Sequence, residues 1–163
     1  MILHEAEADL RGWQVEVLGI DLSQAAITTA MSAVYSQFDV QRGLPIRTLL
    51  KNFQKEDDNW RLSEVIRTRV SFKAWNLLDD LFPLGRFDVV LCRNVLPYFD
   101  MPTKFATLQK LSRVMADDAV LYAGVEEPLA GVSSNFQAMD DNLGIHIVQR
   151  PDLGKIKSLA AAG

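Results

Sequence analysis

The segment that most constrains the fold is residues 87–92, which reads Phe-Asp-Val-Val-Leu-Cys. A short, nearly continuous apolar run of this kind predicts a strand that is buried on both faces, as in a parallel sheet. Downstream, Asp100 can cap a helix that has Pro102 in its first turn. A buried strand followed by a helix is the unit from which α/β folds are built. The segment therefore favours an α/β fold with a mostly parallel sheet.

The rest of the chain repeats this alternation. Apolar runs predict further strands at residues 15–20, 70–74, 119–123 and 145–149. Helical spacing of apolar residues predicts helices at residues 2–10, 23–36 and 101–115. The more polar stretch of residues 37–69 predicts a hairpin of residues 49–56 and 59–62 and a short helix or turn at 63–68. Further along the chain, residues 117–118 predict a turn. Strands that alternate with helices again indicate one α/β domain.

Composition excludes several classes of protein. With 17 basic and 21 acidic residues the net charge is −4, which argues against nucleic-acid binding through a basic face. The single cysteine, Cys92, excludes a disulfide framework, and with only His4 and His146 we expect neither a catalytic triad nor a metal site. No apolar run approaches the roughly 18 residues of a membrane span. The chain turns acidic at its start, so we expect no signal peptide and a cytoplasmic location.

Polar residues follow three of the predicted strands, where α/β folds bind ligands. Asp21 follows the first strand, and its carboxylate could accept hydrogen bonds from two ribose hydroxyls or could cap the next helix. Asn76, with Leu77 beside it, could recognise an adenine edge or could close the loop as an Asx turn.

The densest polar cluster follows residues 87–92. Arg93 and Asn94 come directly after the strand, and Tyr98 stands four residues further on. Arg93 could hold a carboxylate through two parallel hydrogen bonds. Alternatively, Arg93 pairs with a structural acid and Tyr98 packs under a helix. We favour a functional role, because polar groups are costly at the end of a buried strand.

Residues 87–100 closely resemble the signature of the CheR-type chemotaxis protein methyltransferases. Residues 19–23, 37–45 and 76–78 also resemble segments of this family, and the similarity runs in order from about Glu16 to Arg150. The family uses S-adenosylmethionine to methylate glutamate side chains of bacterial chemoreceptors and releases S-adenosylhomocysteine. The resemblance thus implies a Rossmann-like methyltransferase fold and a methyl-accepting chemoreceptor as partner.

The resemblance also assigns roles to individual residues. Asp21 would bind the ribose, while Asn76 and Leu77 would face the adenine. Arg93 and Asn94 would line the cofactor and substrate pocket, with Arg93 and Tyr98 as the catalytic candidates and Tyr98 near the transferred methyl group. Residues 1–163 would form a partial catalytic domain, with residues of about 45–69 as the family's small β-subdomain. In some members that subdomain binds a receptor tail by adding a strand.

One part of the family pattern is absent from this sequence. A helical domain, a first strand and a glycine-rich loop normally precede the ribose-binding segment, yet only twenty residues precede Asp21 and no G-x-G spacing occurs. We therefore expect a sheet without its usual first strand, weak binding of the methyl donor, and self-association through unpaired strand edges. Two alternatives to an enzyme of this family remain: a non-catalytic module that binds a receptor or signalling partner, and a Rossmann oxidoreductase, which the missing glycine motif disfavours.

Overall fold

A computed structural model describes residues 1–124, 129, 131–139 and 144–150 of the chain. The chain forms two compact units that meet in sequence between Asn76 and Leu77. The strands are β1 Val17–Asp21, β2 Val34–Ser36, β3 Phe53–Glu56, β4 Asn59–Leu62, β5 Val70–Ala74, β6 Phe87–Cys92, β7 Met115–Ala123, β8 Phe136–Ala138 and β9 Ile145–Val148. The helices are α1 Ile2–Glu5, α2 Gln24–Ser32, α3 Gln37–Gln41, α4 Ile46–Asn52, α5 Glu64–Arg67 and α6 Met101–Val114.

The first unit contains the β1–β5 pair, which is parallel, as expected from the sequence. Its register runs from Val17 opposite Val70 to Asp21 opposite Ala74. Helix α2 connects β1 to the rest of the unit and buries Ile27. Parallel strands need such a crossover, because a two-residue turn cannot return the chain to the same end of the sheet.

Helix α2 is shorter than the apolar spacing predicted. It ends at Ala33, which adopts the left-handed conformation with φ 52°, and residues 34–36 then form β2. Val34 pairs with Arg61 of β4. The prediction of one helix through residue 36 was wrong because backbone pairing with a distant strand outweighed the local helical pattern.

A small antiparallel sheet of order β2-β4-β3 completes the first unit. Its β3–β4 hairpin confirms the predicted turn, with Glu56 opposite Asn59 across the Asp57–Asp58 turn. The predicted first strand of the hairpin was too long, since residues 49–52 belong to α4. Leu49 is buried there, and this packing favours the helix over an extended segment.

The N-terminal helix is also shorter than predicted. Helix α1 ends at Glu5, and residues 6–12 form turns instead of a second helical turn. No residue of α1 is buried, so packing does not stabilise a longer helix. Ion pairs of Glu5 with Lys51 at 3.0 Å and of Glu7 with Arg69 at 2.8 Å hold this segment to the first unit.

The second unit contains a sheet of order β6-β7-β9-β8. Strands β6 and β7 are parallel, whereas β9 pairs antiparallel with both β7 and β8. The predicted turn at residues 117–118 was wrong, because both aspartates lie within β7. The β6–β7 register shifts between Phe87, which is opposite Met115, and Val89, which is opposite Val120. Strand β7 therefore contains more residues than β6 over this part of the ladder.

Strand β6 is buried on one face and not on both, which corrects the expectation from its apolar sequence. Cys92 is buried, but Val89 and Leu91 are 56% and 77% exposed. In the ladder, Leu91 stands opposite Tyr122, which is also exposed. The elements of the second unit therefore cover only the face that carries Cys92.

Among the edge strands of the ladders that the described residues form, β1 and β6 each lead to candidate site residues. Strand β1 pairs with β5 alone, and β6 pairs with β7 alone. Parallel pairing occurs in these two ladders, and the other ladders are antiparallel. The placement of both ladders in one mostly parallel sheet, with a strand missing from it, stays a prediction.

Candidate functional site

Asp21 and Asn76 lie at the same end of the β1–β5 pair. The backbone nitrogen of Trp75 donates a hydrogen bond to the Asp21 carbonyl oxygen at 3.0 Å, and Asp21 stands opposite Ala74 in the register. Asn76, two residues beyond Ala74, is half-buried. The first unit thus brings together two of the residues that the sequence singled out, at the carboxyl ends of parallel strands.

The Asp21 carboxylate does not cap helix α2. Its Oδ1 atom accepts a hydrogen bond from the Ser23 backbone nitrogen at 2.7 Å, while the cap itself is Ser23, whose hydroxyl oxygen accepts from Ala26 at 3.2 Å. The simple capping role for Asp21 is therefore wrong. Among the described residues no donor bonds to Oδ2, which leaves that oxygen able to accept a hydrogen bond from a ligand hydroxyl.

Lys73, which the sequence did not single out, lies beside this strand end. Its ammonium nitrogen lies 4.5 Å from the centroid of the Trp75 ring, a cation–π contact. The sequence shows only that Lys73 and Trp75 are two residues apart at the end of a predicted strand, and this spacing alone does not predict the contact. The contact fixes an aromatic ring and a positive charge next to Asn76.

Arg93 and Asn94 are exposed directly after β6 in the second unit. Asn94 has φ 59°, a left-handed backbone conformation that Asn tolerates better than most residues. The described residues place no carboxylate in ion-pair contact with Arg93. Pairing of Arg93 with a structural acid among them is therefore excluded, and its guanidinium is available to a ligand.

Tyr98 ends a 3₁₀ turn, Leu96–Tyr98, between Arg93 and α6. Leu96 is fully buried and anchors this turn, whereas Tyr98 is 84% exposed. The alternative that Tyr98 packs under a helix is thus wrong. Asp100 caps α6 by accepting a hydrogen bond from the Thr103 nitrogen at 2.9 Å, and hydrogen bonds from the Thr103 side chain and backbone lower the Asp100 pKa.

Leu77, the remaining candidate, begins the second unit and is half-buried in a turn. Cys92 is buried, as expected of a strand residue. Across the described parts of the chain, no group of three or more His, Cys, Asp or Glu side chains could hold a metal ion.

The chain matches a known protein family over most of its length. Residues 1–145 match the family profile described as the CheR methyltransferase, SAM binding domain. The chain belongs to the CheR methyltransferase family. This match confirms the expected cofactor, S-adenosylmethionine, and a Rossmann-like methyltransferase fold.

Individual members of the CheR family are similar over most of this chain. A chemotaxis protein methyltransferase of Pseudomonas putida is 33% identical over 131 residues, 80% of this chain and 48% of the relative. Chemotaxis protein methyltransferase 1 of Pseudomonas aeruginosa is 34% identical over 132 residues, with the same two shares. The chain thus spans about half the length of these two curated relatives.

A third relative differs in its described role. A probable biofilm formation methyltransferase of Pseudomonas aeruginosa is 32% identical over 123 residues, 74% of this chain and 29% of the relative. The CheR-family domain therefore occurs in methyltransferases described for more than one process.

No helix in the described portion of this chain is long and apolar enough to cross a membrane.

Proposed function

We propose that this chain is part of the catalytic domain of a methyltransferase that transfers a methyl group from S-adenosylmethionine to glutamate carboxylates of a bacterial chemoreceptor. The observation that carries the proposal is the segment after β6. It combines the family signature with an exposed Arg93 that has no carboxylate partner among the described residues. A guanidinium in this state suits a carboxylate ligand.

Side chains of each unit would suit S-adenosylmethionine. Asp21 offers a carboxylate oxygen for the ribose hydroxyls, and Asn76 and Leu77 offer an amide and an apolar surface for the adenine. Arg93 and Asn94 would contact the cofactor and the substrate. When bound, the cofactor supplies a methyl group on a positively charged sulfur, which is a good leaving group.

The residues of the chain would have a modest chemical task. A glutamate carboxylate is ionised at pH 7 and is already a nucleophile, so no general base is needed. Arg93 would hold this carboxylate in two parallel hydrogen bonds, and Tyr98 would lie near the transferred methyl group and help to exclude water. Catalysis would then depend on alignment and desolvation, which accounts for a site without histidine.

The affinity of this chain for the donor should be low. Backbone nitrogens of a glycine-rich loop commonly cradle the charged end of such a cofactor. No two glycines of this sequence are closer than seven residues apart. We therefore propose that the isolated chain binds the donor mainly through its nucleoside half.

A non-catalytic binding module is the second candidate. The small sheet supports it, because β3 is an edge strand whose outer side has no strand partner among the described residues. An extended receptor segment could add to this edge through backbone hydrogen bonds. Strands β3 and β4 fall within the proposed β-subdomain of about residues 45–69. Self-association is a third candidate, in which backbone hydrogen bonds would join the open edges of β1 and β6 to strands of a second copy.

A methyl-transfer assay separates these candidates. The chain is incubated with a chemoreceptor cytoplasmic domain and an excess of S-adenosylmethionine labelled in the methyl group, and base-labile methyl esters are counted. We expect incorporation that falls at least about tenfold in Arg93→Ala, the size of a lost charged contact, and that also falls in Tyr98→Phe, which removes the hydroxyl of the side chain. Arg113→Ala, an exposed arginine on α6, serves as the matched control and should keep its activity.

The outcomes assign the function. Stable binding of the receptor without methyl esters would favour the binding module. Methyl transfer that survives Arg93→Ala and Tyr98→Phe would show that the site is misassigned. Transfer of hydride from a nicotinamide cofactor, which we do not expect, would point to the oxidoreductase.

A further inference from the structure

The solvent-facing side of helix α4 carries an apolar stripe beside a basic stripe. Ile46 and Leu50 are 64% and 65% exposed, and Arg47 and Lys51 are exposed next to them, whereas Leu49 points inward. Residues four apart lie above one another on a helix, so each pair forms a row along the axis. An apolar row of this kind is unusual on a free surface, since a helix normally buries its apolar side.

The charge around α4 departs from that of the rest of the chain. Residues 40–55 contain four cations and no carboxylate, although the whole chain carries a net charge of −4. Lys51 is paired with Glu5 at 3.0 Å. Arg47 has no ion-pair partner among the described residues. Arg47 therefore gives the basic row at least one positive charge that no carboxylate of the described residues neutralises.

We propose that these four residues, Ile46, Arg47, Leu50 and Lys51, form a docking surface for an acidic amphipathic helix of the protein substrate. The inference rests on the proposed function, since it takes the substrate to be a protein that offers glutamates. Apolar side chains spaced four apart on the substrate helix would pack on Ile46 and Leu50. Carboxylates flanking them would face Arg47 and Lys51, which gives the contact its orientation.

Two other occupants fit the surface less well. A membrane surface is disfavoured because α4 has only seven residues and exposes two large apolar side chains, while the acidic chain as a whole is repelled by anionic lipid. A second copy that met this one through α4 about a two-fold axis would bring Arg47 against its own counterpart. An acidic helix satisfies both rows at once.

Peptide binding tests the surface without requiring turnover. The probe is a fluorescein-labelled amphipathic helical peptide with leucines along one face and glutamates beside them, compared with a twin that has glutamine at each glutamate. Fluorescence anisotropy of the whole chain with each peptide gives the affinities. We expect the glutamate peptide to bind and to weaken with added salt, and its twin to bind at least about tenfold less tightly.

Substitutions on α4 and matched substitutions elsewhere locate the contact. Arg47→Glu should weaken binding of the glutamate peptide about tenfold, and Leu50→Ser should weaken it severalfold. Arg113→Glu on α6 and Val65→Ser on α5 change exposed residues that do not belong to α4 and should leave the affinity within about twofold. Circular dichroism of each variant verifies that the fold is retained.

Several results would overturn the docking surface. These are equal binding of the two peptides, no binding of either, or equal loss in the control variants. Binding to vesicles of phosphatidylserine and phosphatidylcholine that Arg47→Glu abolishes would assign the surface to a membrane. A dimer in sedimentation equilibrium that Leu50→Ser dissociates would assign it to a second copy.

The same variants distinguish this proposal from the proposed function. Methyl transfer to the receptor with an unchanged KM in Arg47→Glu would refute the docking surface and leave the enzyme intact. Peptide binding that depends on Arg47, with no methyl transfer under any condition, would refute the enzyme and leave the docking surface intact.

Discussion

Gly19 of β1 lies directly against the ring of Phe72 of β5. The two residues stand opposite each other in the parallel register, and a Cβ atom built at Gly19 would be 2.7 Å from Cδ1 and 2.8 Å from Cε1 of Phe72. Real Cβ atoms do not approach other atoms so closely, so the ring occupies the space that a side chain would need. This packing holds together the two strands that end at Asp21 and Ala74.

A methyl group at position 19 should therefore destabilise the first unit. We expect Gly19→Ala to lower the free energy of unfolding by about 1–3 kcal/mol through overpacking. In the double variant Gly19→Ala/Phe72→Ala the penalty of the added methyl group should shrink by at least about 0.5 kcal/mol, because the clash is removed. Urea denaturation of the wild type, both single variants and the double variant gives this coupling; strictly additive effects would contradict the contact.

Asp21→Ala should remove the binding of the nucleoside half of S-adenosylhomocysteine. The reason is that Asp21 offers a carboxylate at this strand end, with no described donor bonded to Oδ2, so that Oδ2 can accept a hydrogen bond from a ribose hydroxyl. Saturation-transfer NMR detects weak ligands, so it suits a chain that we expect to bind poorly. The ribose and adenine signals should vanish in Asp21→Ala and persist in Asp58→Ala, an exposed acid of the hairpin turn. Equal signals in both variants would exclude Asp21 from the site.

Substitutions at Asn94 separate the roles of its backbone and side chain. Because φ is 59° there, Asn94→Ala should cost about 1 kcal/mol of stability, whereas Asn94→Gly should cost less or stabilise the chain. If the Asn94 side chain contacts ligand, both variants should nevertheless lose methyl transfer. Thermal unfolding and the methyl-ester assay, run on both variants, give the two readouts. An active Asn94→Gly would show that only the backbone conformation matters.

His146 should make the stability of the second unit depend on pH. Burial lowers its pKa below the usual value of about 6.5, against a smaller opposing effect of a hydrogen bond with the Gly144 backbone. Since the unfolded chain binds the proton more tightly, stability is full above the unfolded pKa and falls as the pH drops below it. The slope approaches about 1.4 kcal/mol per pH unit for one proton.

The variant His146→Phe tests that assignment. Urea denaturation between neutral and mildly acidic pH should show the decline in wild type and a flatter profile in His146→Phe. A decline of the same slope in the variant would mean that another group is responsible.

The sequence predicted most strands because their signals are local. The β5, β6 and β9 segments follow from short stretches rich in apolar residues, and the β3–β4 hairpin follows from its Asp57–Asp58 turn. Strand β2 could not be predicted in this way. Its residues continue a helical pattern, and only pairing of Val34 with Arg61 makes them extended.

The candidate site was predictable in its residues and not in their surroundings. The positions of Asp21 and Arg93 after strands could be inferred from polar residues that follow apolar runs. That Ser23 caps α2, that Tyr98 is exposed and that Lys73 contacts Trp75 depend on side-chain geometry, which one sequence does not specify. The exposure of Leu91 was likewise missed, since an apolar run cannot show how many of its faces are covered.

The open outer edge of β6 has a consequence for local stability. Backbone amides of a strand point alternately to its two sides, so among the described ladders those that face away from β7 have no partner strand. Every second amide of the strand that leads to Arg93 should then exchange with heavy water through small openings, while its neighbours stay protected. Strand β6 would thus be hydrogen-bonded along one edge only. A second chain that added a strand to the other edge would stabilise the backbone that leads to Arg93 without contacting any side chain of the site.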